Sequence, residues 1–187
     1  MGTLLNKAIT FAVRAHEGQF RKGTQIPYIL HPLEAAAIVG TMTENDEILA
    51  AAVLHDVVED TETTVEEIRE LFGKKVAEYV SAESEDKREG LSAESTWKIR
   101  KQETLNHLKS APKEVKMITL GDKLSNIRAI YRDYSNLGDE LWSRFNQKDK
   151  NEHLWYYSGI ADCLSELSEY SVYQEYCDLI KKAFSVE

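Results

Sequence analysis

Asn45-Asp46-Glu47-Ile48-Leu49-Ala50-Ala51-Ala52-Val53-Leu54-His55-Asp56-Val57-Val58-Glu59-Asp60-Thr61 is the stretch on which the reading of the whole chain turns. Asn45 can accept from the first unpaired N–H groups of a helix, and Asp46 and Glu47 place negative charge at its positive end. The spacing predicts one helix from Asp46 to about Val58. From Ile48 to Leu54 it is apolar on every side, so neighbours must cover it all round, as at the centre of a bundle. Its far end differs. His55 and Glu59 are four apart and share a face, and Asp56 and Asp60 repeat that spacing on the adjacent stripe. Four ionisable groups closing an oily helix are costly to bury unless they are paired or hold a metal. A purely structural role would need several cationic partners, so the cluster reads as a metal site.

Outward from this helix the pattern stays helical. Thr3 can cap a first helix running to about Glu17. Gly18 to Ile29 is a loop that contains Arg21-Lys22, and a second helix starts near His31 with Pro32 in its first turn. Thr64 and Glu67 fit a capping box for a helix ending at Phe72-Gly73. Further helices are expected over Lys74 to Ala82, Ala93 to Lys109, Pro112 to Tyr134, a short one at Leu141-Trp142, Asp149 to Leu167 and Val172 to Phe184. Glu83 to Gly90 reads as a solvated, mobile loop. No segment alternates with strand period and no internal repeat appears. The expected fold is an all-α, compact bundle of about eight to ten helices forming a single domain over residues 1–187.

Composition sets the outer bounds. Hydrophobic residues make up 42% and charged residues 29% of 187, an ordinary globular mixture. The net charge of −9 argues against general nucleic-acid binding, and it would repel a phosphorylated ligand unless a metal or a local cationic patch reverses the sign. Cys163 and Cys177 have no metal-type spacing and read as reduced thiols. With no signal-like N-terminus, no myristoylation signal at Gly2 and no membrane-length apolar run, a cytoplasmic protein with no membrane partner is expected. The aromatic C-terminal helices could bury a partner surface, leaving a homo-oligomer open.

Two more residues join the cluster. Asp122 enters an apolar helix at Met117-Ile118-Thr119-Leu120-Gly121-Asp122, with Asn126 four residues on, and His31 can present its ring from a helix start. Two imidazoles and two carboxylates suit Mn²⁺, Fe²⁺, Co²⁺ or Zn²⁺, with open positions where a water becomes a nucleophile. His16, His107 and His153 lack such partners and read as structural. Trp97, Lys98, Arg100 and Lys101 read as a helix surface face, and Trp155-Tyr156-Tyr157 as packing.

Three strings occur together: Arg21-Lys22-Gly23 followed by Pro27-Tyr28-Ile29-Leu30-His31-Pro32; Leu54-His55-Asp56-Val57-Val58-Glu59-Asp60-Thr61; and Asp122-Lys123-Leu124-Ser125-Asn126. With them the chain resembles an HD-domain phosphohydrolase over about residues 5 to 135. It is similar to the hydrolase domain of the bifunctional alarmone synthetase/hydrolases and to the small alarmone hydrolases. The resemblance implies a divalent metal, usually manganese, held by His31, His55, Asp56 and Asp122. It implies water activation by Glu59 and Asp60, phosphate contacts from Arg21 and Lys22, and Asn126 near the sugar. The implied substrate is a nucleotide, guanosine 3′,5′-bis(diphosphate), losing its 3′-pyrophosphate. A phosphohydrolase of another nucleotide, or a non-catalytic helical module that keeps the metal, are the alternatives.

Overall fold

The computed structural model describes residues 3–85, 88 and 90–184. Its regular structure among these residues is ten α-helices and two 3₁₀ segments, with one isolated bridge between Phe20 and Pro27. The helices are α1 (Leu4–Ala15), α2 (Leu30–Val39), α3 (Asp46–Leu54), α4 (Val57–Asp60) and α5 (Val65–Phe72). They continue with α6 (Lys74–Glu83), α7 (Ala93–Ser110), α8 (Lys113–Leu137), α9 (Lys150–Cys163) and α10 (Ser171–Phe184). The 3₁₀ segments are Gly138–Arg144 and Ser165–Leu167. The all-α expectation holds. None of the described helices is long and apolar enough to cross a membrane.

Two compact units divide the chain: residues through Ser84 with Lys113–Ser125, and Glu85–Pro112 with Asn126 onward. In the first, α3 is the core element, packed by α1, α2 and α6. Ile48 and Ala50 through Leu54 are all buried, as an all-round apolar helix requires. Asn45 accepts from the Glu47 and Ile48 amides. Asp46 serves more than its own helix: its carboxylate accepts from Leu4 N at 2.8 Å and Leu5 N at 3.1 Å, capping α1 and tying two helix N-termini together. The Thr64–Glu67 capping box forms as read.

Gly121 sets how closely α8 meets α2. A Cβ there would lie 2.7 Å from the Ala35 carbonyl oxygen and 2.7 Å from Val39 Cγ2, so the two helices touch through bare backbone. The next residue is Asp122.

The second unit is built around aromatic side chains. α9 packs between α7 and α10, and Trp142 stacks on Phe184 with ring centroids 5.4 Å apart. Tyr156 and Tyr157 are buried, so the Trp155-Tyr156-Tyr157 run is largely packing, with Lys98 Nζ 3.3 Å over the Trp155 ring. His153 is buried here and donates from Nε2 to the Gln147 carbonyl; His107 is exposed. Both cysteines are half-buried thiols, and Cys163 Sγ donates to the Leu105 carbonyl at 3.6 Å.

Four expectations need correction. The helix read as Asp46 to Val58 breaks at His55-Asp56, and the one read as Asp149 to Leu167 ends at Cys163. Glu83 to Gly90 is not wholly a solvated loop: Glu83 closes α6, and Glu85 accepts from Arg100 at 3.0 Å, Lys101 at 2.7 Å and Thr104 at 2.9 Å. Arg100 and Lys101 therefore answer a half-buried carboxylate rather than forming a plain surface face. Positions 86, 87 and 89 of that loop lie outside the described residues, as does Gly2.

Candidate metal centre

His31, His55 and Asp122 bring one ligand-type atom each to within 4.8 Å of one another, and all three are buried. His31 Nε2 lies 3.2 Å from Asp122 Oδ1 and 3.4 Å from Asp56 Oδ2. His55 Nε2 lies 3.0 Å from Asp56 Oδ2 and 3.7 Å from Asp122 Oδ1. The two rings meet edge to face at 5.2 Å. All four residues named from the sequence thus converge within the first unit.

The break in the central helix places His55. Its Nδ1 lies 2.8 Å from the Ala52 carbonyl, while α3 ends at Leu54 and α4 restarts at Val57 after a turn. A carbonyl only accepts, so Nδ1 carries the hydrogen, and a neutral ring then holds a lone pair on Nε2. That atom is buried and has no hydrogen-bond partner, although Asp56 is 3.0 Å away. Facing two carboxylates, this nitrogen needs positive charge beside it, either a proton on the ring itself or a metal ion held between ring and acids. The donor set therefore fits a divalent ion, two imidazoles and two carboxylates with both Nδ1 atoms engaged outward.

Electrostatics agree. Burial disfavours charge on His55, but the Asp56 and Asp122 carboxylates outweigh it and hold the ring's pKa well above the ordinary imidazole value. Burial likewise opposes ionisation of Asp56, yet His55 and His31 hold its carboxyl well below the usual range. Asp122 is depressed in the same way, by Lys123 at 2.6 Å and by both histidines. The pocket is built to keep its acids ionised and to receive positive charge.

Around this core the structure adds Tyr28, which the sequence reading quoted but gave no role. Its hydroxyl lies 2.7 Å from Asp56 Oδ2 and 3.0 Å from Asp60 Oδ2. Burial and those carboxylates raise its pKa, so it stays a phenol and a donor. Asp60 is held from its backbone as well, by Gln19 Nε2 at 2.9 Å, with Gln19 Oε1 accepting from buried His16. Through Gln19, His16 braces the acid beside the centre. Glu59 is half-buried and Asp60 exposed, one short helix beyond Asp56.

Arg21 and Lys22 sit on a turn pinned by Arg21 N to the Ile26 carbonyl (2.8 Å) and Tyr28 N to the Gln19 carbonyl (2.9 Å), with Gly23 at φ +73°. The Arg21 guanidinium lies over the Tyr28 ring at 5.8 Å, one ring away from Asp56. Lys22 is exposed at the tip. Asn126, half-buried and four residues after Asp122 in α8, is the first residue of the second unit, whereas the other eight predicted residues belong to the first.

Glu83 escaped the sequence reading because it opens a polar run. Its carboxylate accepts from Thr119 Oγ1 at 2.7 Å, and burial, reinforced by the Asp122 charge against opposing help from Thr119, Lys123 and His55, pushes it up to about 7. The folded state then binds this proton more tightly than the unfolded chain. Its stabilising contribution is full below about pH 4.5 and is lost as pH rises to 7, about 3 kcal/mol in all. Urea unfolding of the metal-stripped protein should accordingly show stability falling across that window. Glu83→Gln should remove most of the fall; an unchanged profile in the variant would assign the dependence elsewhere.

A family model described as an HD domain matches residues 8–149. The guanosine-3′,5′-bis(diphosphate) 3′-pyrophosphohydrolase of Danio rerio is 36% identical over 133 residues, covering 69% of this chain and 70% of that protein. The protein of the same activity name from Aquifex aeolicus is 34% identical over 68% of this chain, and a GTP pyrophosphokinase of Myxococcus xanthus 30% identical over 78%. The chain spans only 18% and 19% of those two relatives. Among solved structures, a Listeria monocytogenes protein superposes with TM-score 0.72 at 33% identity, covering 85% of this chain and 96% of that one. A metazoan SpoT orthologue shares the fold, with TM-score 0.75 at 24% identity over 97% of this chain and 95% of its own.

Proposed function

The chain belongs to the HD domain family, and from that premise we propose that it is a metal-dependent phosphohydrolase removing the 3′-pyrophosphate of guanosine 3′,5′-bis(diphosphate)-type nucleotides. The observation that carries the reading is the convergence of His31, His55 and Asp122 ligand atoms within 4.8 Å of one another, with Asp56 Oδ2 3.0 Å from His55 Nε2 and 3.4 Å from His31 Nε2. That the Danio rerio and Aquifex aeolicus relatives are named for this activity supports the substrate.

In this reading His31, His55, Asp56 and Asp122 hold the ion, which we take to be Mn²⁺. When bound, the ion supplies Lewis acidity toward water and phosphate oxygens. Glu59 and Asp60 take the proton from the attacking water, with the Tyr28 hydroxyl keeping Asp60 in place beside Asp56. Arg21 and Lys22 donate to phosphate oxygens, the local positive patch that a chain of net charge −9 needs to accept an anion. Asn126 is the residue assigned near the sugar. Water cleaves the bond joining the pyrophosphate to the 3′ oxygen, so pyrophosphate leaves and the 5′-diphosphate or triphosphate of guanosine remains. Residues 1–187 act as one phosphohydrolase domain.

Metal-stripped protein incubated with a nucleotide panel, with and without Mn²⁺, tests this directly. Pyrophosphate should appear from the 3′-diphosphate substrate and only with the ion present. Orthophosphate released instead from nucleoside mono- or triphosphates or from a nicotinamide dinucleotide phosphate would overturn the substrate while keeping the chemistry.

A further inference from the structure

We propose that Ser125 and Glu34 form a hydroxyl–carboxylate relay that fixes His31 as a metal ligand. His31 Nδ1 lies 2.8 Å from Ser125 Oγ, and Ser125 Oγ donates to Glu34 Oε2 at 2.7 Å. A serine hydroxyl has a single proton. With that proton directed at the carboxylate, the oxygen can only accept from the ring, so His31 Nδ1 must carry a hydrogen. Nε2, the atom facing Asp122 and Asp56, is then the one left to bind a cation.

The carboxylate is what makes the serine reliable. His55 is oriented by a backbone carbonyl, which has no proton to offer. A serine alone could rotate and donate to His31 Nδ1, moving the ring hydrogen to Nε2 and blocking ligation. Glu34 removes that choice. Ser125 is 2% exposed, so water does not compete for its hydroxyl, whereas Glu34 is half-buried.

The placement follows from two i,i+3 pairs on facing helices. His31 and Glu34 project from one side of α2, and Asp122 and Ser125 from one side of α8. The close approach at Gly121 brings these sides together. Each helix thus contributes one residue to the proposed ligand set and one to the relay.

The relay rests on the metal reading of the site, and one experiment separates the two. Mn²⁺ is titrated calorimetrically into the metal-stripped full chain as wild type, Ser125→Ala, Glu34→Ala and the double variant. Ser125→Ala should weaken binding about 10- to 100-fold and Glu34→Ala about tenfold. The double variant should bind no more weakly than Ser125→Ala, because Glu34 acts through the hydroxyl. Full additivity, or a Glu34→Ala protein with wild-type affinity, overturns the relay even if Ser125→Ala proves poorly folded. A wild type that binds no divalent ion overturns the metal reading and the relay with it; wild-type binding matched by both variants overturns the relay alone.

Discussion

Asp122→Ala should abolish Mn²⁺-dependent pyrophosphate release, lowering it by about a thousandfold or more. Asp122 is buried between His31 at 3.2 Å, His55 at 3.7 Å and Lys123 at 2.6 Å. Removing it takes away a candidate ligand, one of the two carboxylates that face the histidines, and the carboxylate 2.6 Å from Lys123. Breaking a buried charged arrangement by deleting one partner costs about 3–5 kcal/mol, or roughly two to three and a half decades in an equilibrium constant. Part of that loss should appear as weaker metal binding and part as a lower melting temperature of the metal-free protein. Asp122→Asn separates the two, since it keeps the volume and some hydrogen bonding but not the charge. If Asp122→Asn retains both the ion and the activity, the site assignment is wrong.

Gly121→Ala should also damage the centre, although it changes no polar group. In a helix this exchange ordinarily gains about 0.5–1 kcal/mol from propensity. Here the new Cβ would stand 2.7 Å from a backbone oxygen of α2, which cannot rotate aside, and 2.7 Å from Val39 Cγ2. Overpacking of this kind costs about 1–3 kcal/mol, so the net sign is destabilising. A melting temperature several degrees lower is expected for a chain of this size. The larger consequence is at the centre. Parting α2 from α8 separates His31 from Asp122, and metal ligation tolerates only about 0.2 Å. Mn²⁺ affinity should fall tenfold or more, read by calorimetry on the metal-stripped protein. A more stable variant with unchanged affinity would mean the helices do not rely on this contact.

These two expectations differ in how far the sequence could foresee them. Asp122 announced itself as a charge entering an oily helix. Gly121, its neighbour, gave no signal, because a helical glycine reveals its purpose only through the element opposite. Tyr28 and Ser125 lay inside the strings that carried the family resemblance, yet a hydroxyl has no period or charge to mark what it bonds. Glu83 was misread for the opposite reason. It stands at the head of a polar run, and composition alone could not show its carboxyl turned inward onto Thr119.

The central helix shows where local reading stops. Asn45, the apolar face from Ile48 to Leu54 and the position of His55-Asp56 were all legible, because capping, amphipathicity and the cost of buried charge act along the chain. The break after Leu54 was not. Asp46 to Val58 has no glycine or proline, and the interruption accompanies the His55 ring reaching the Ala52 carbonyl at 2.8 Å. That contact turns Nε2 toward Asp56, His31 and Asp122.

By itself, then, the sequence determined that the chain is all-helical, that α3 is apolar enough to be the core of its unit, and that His31, His55, Asp56 and Asp122 are the side chains to look for together. Those properties depend on residue type and spacing. The tertiary structure decided which ring nitrogen each histidine presents, which acid Tyr28 holds, and that α2 and α8 meet backbone to backbone at Gly121. They depend on hydrogen-bond direction and on contact distances between segments some 90 residues apart, such as His31 and Ser125, and spacing along the chain does not encode them.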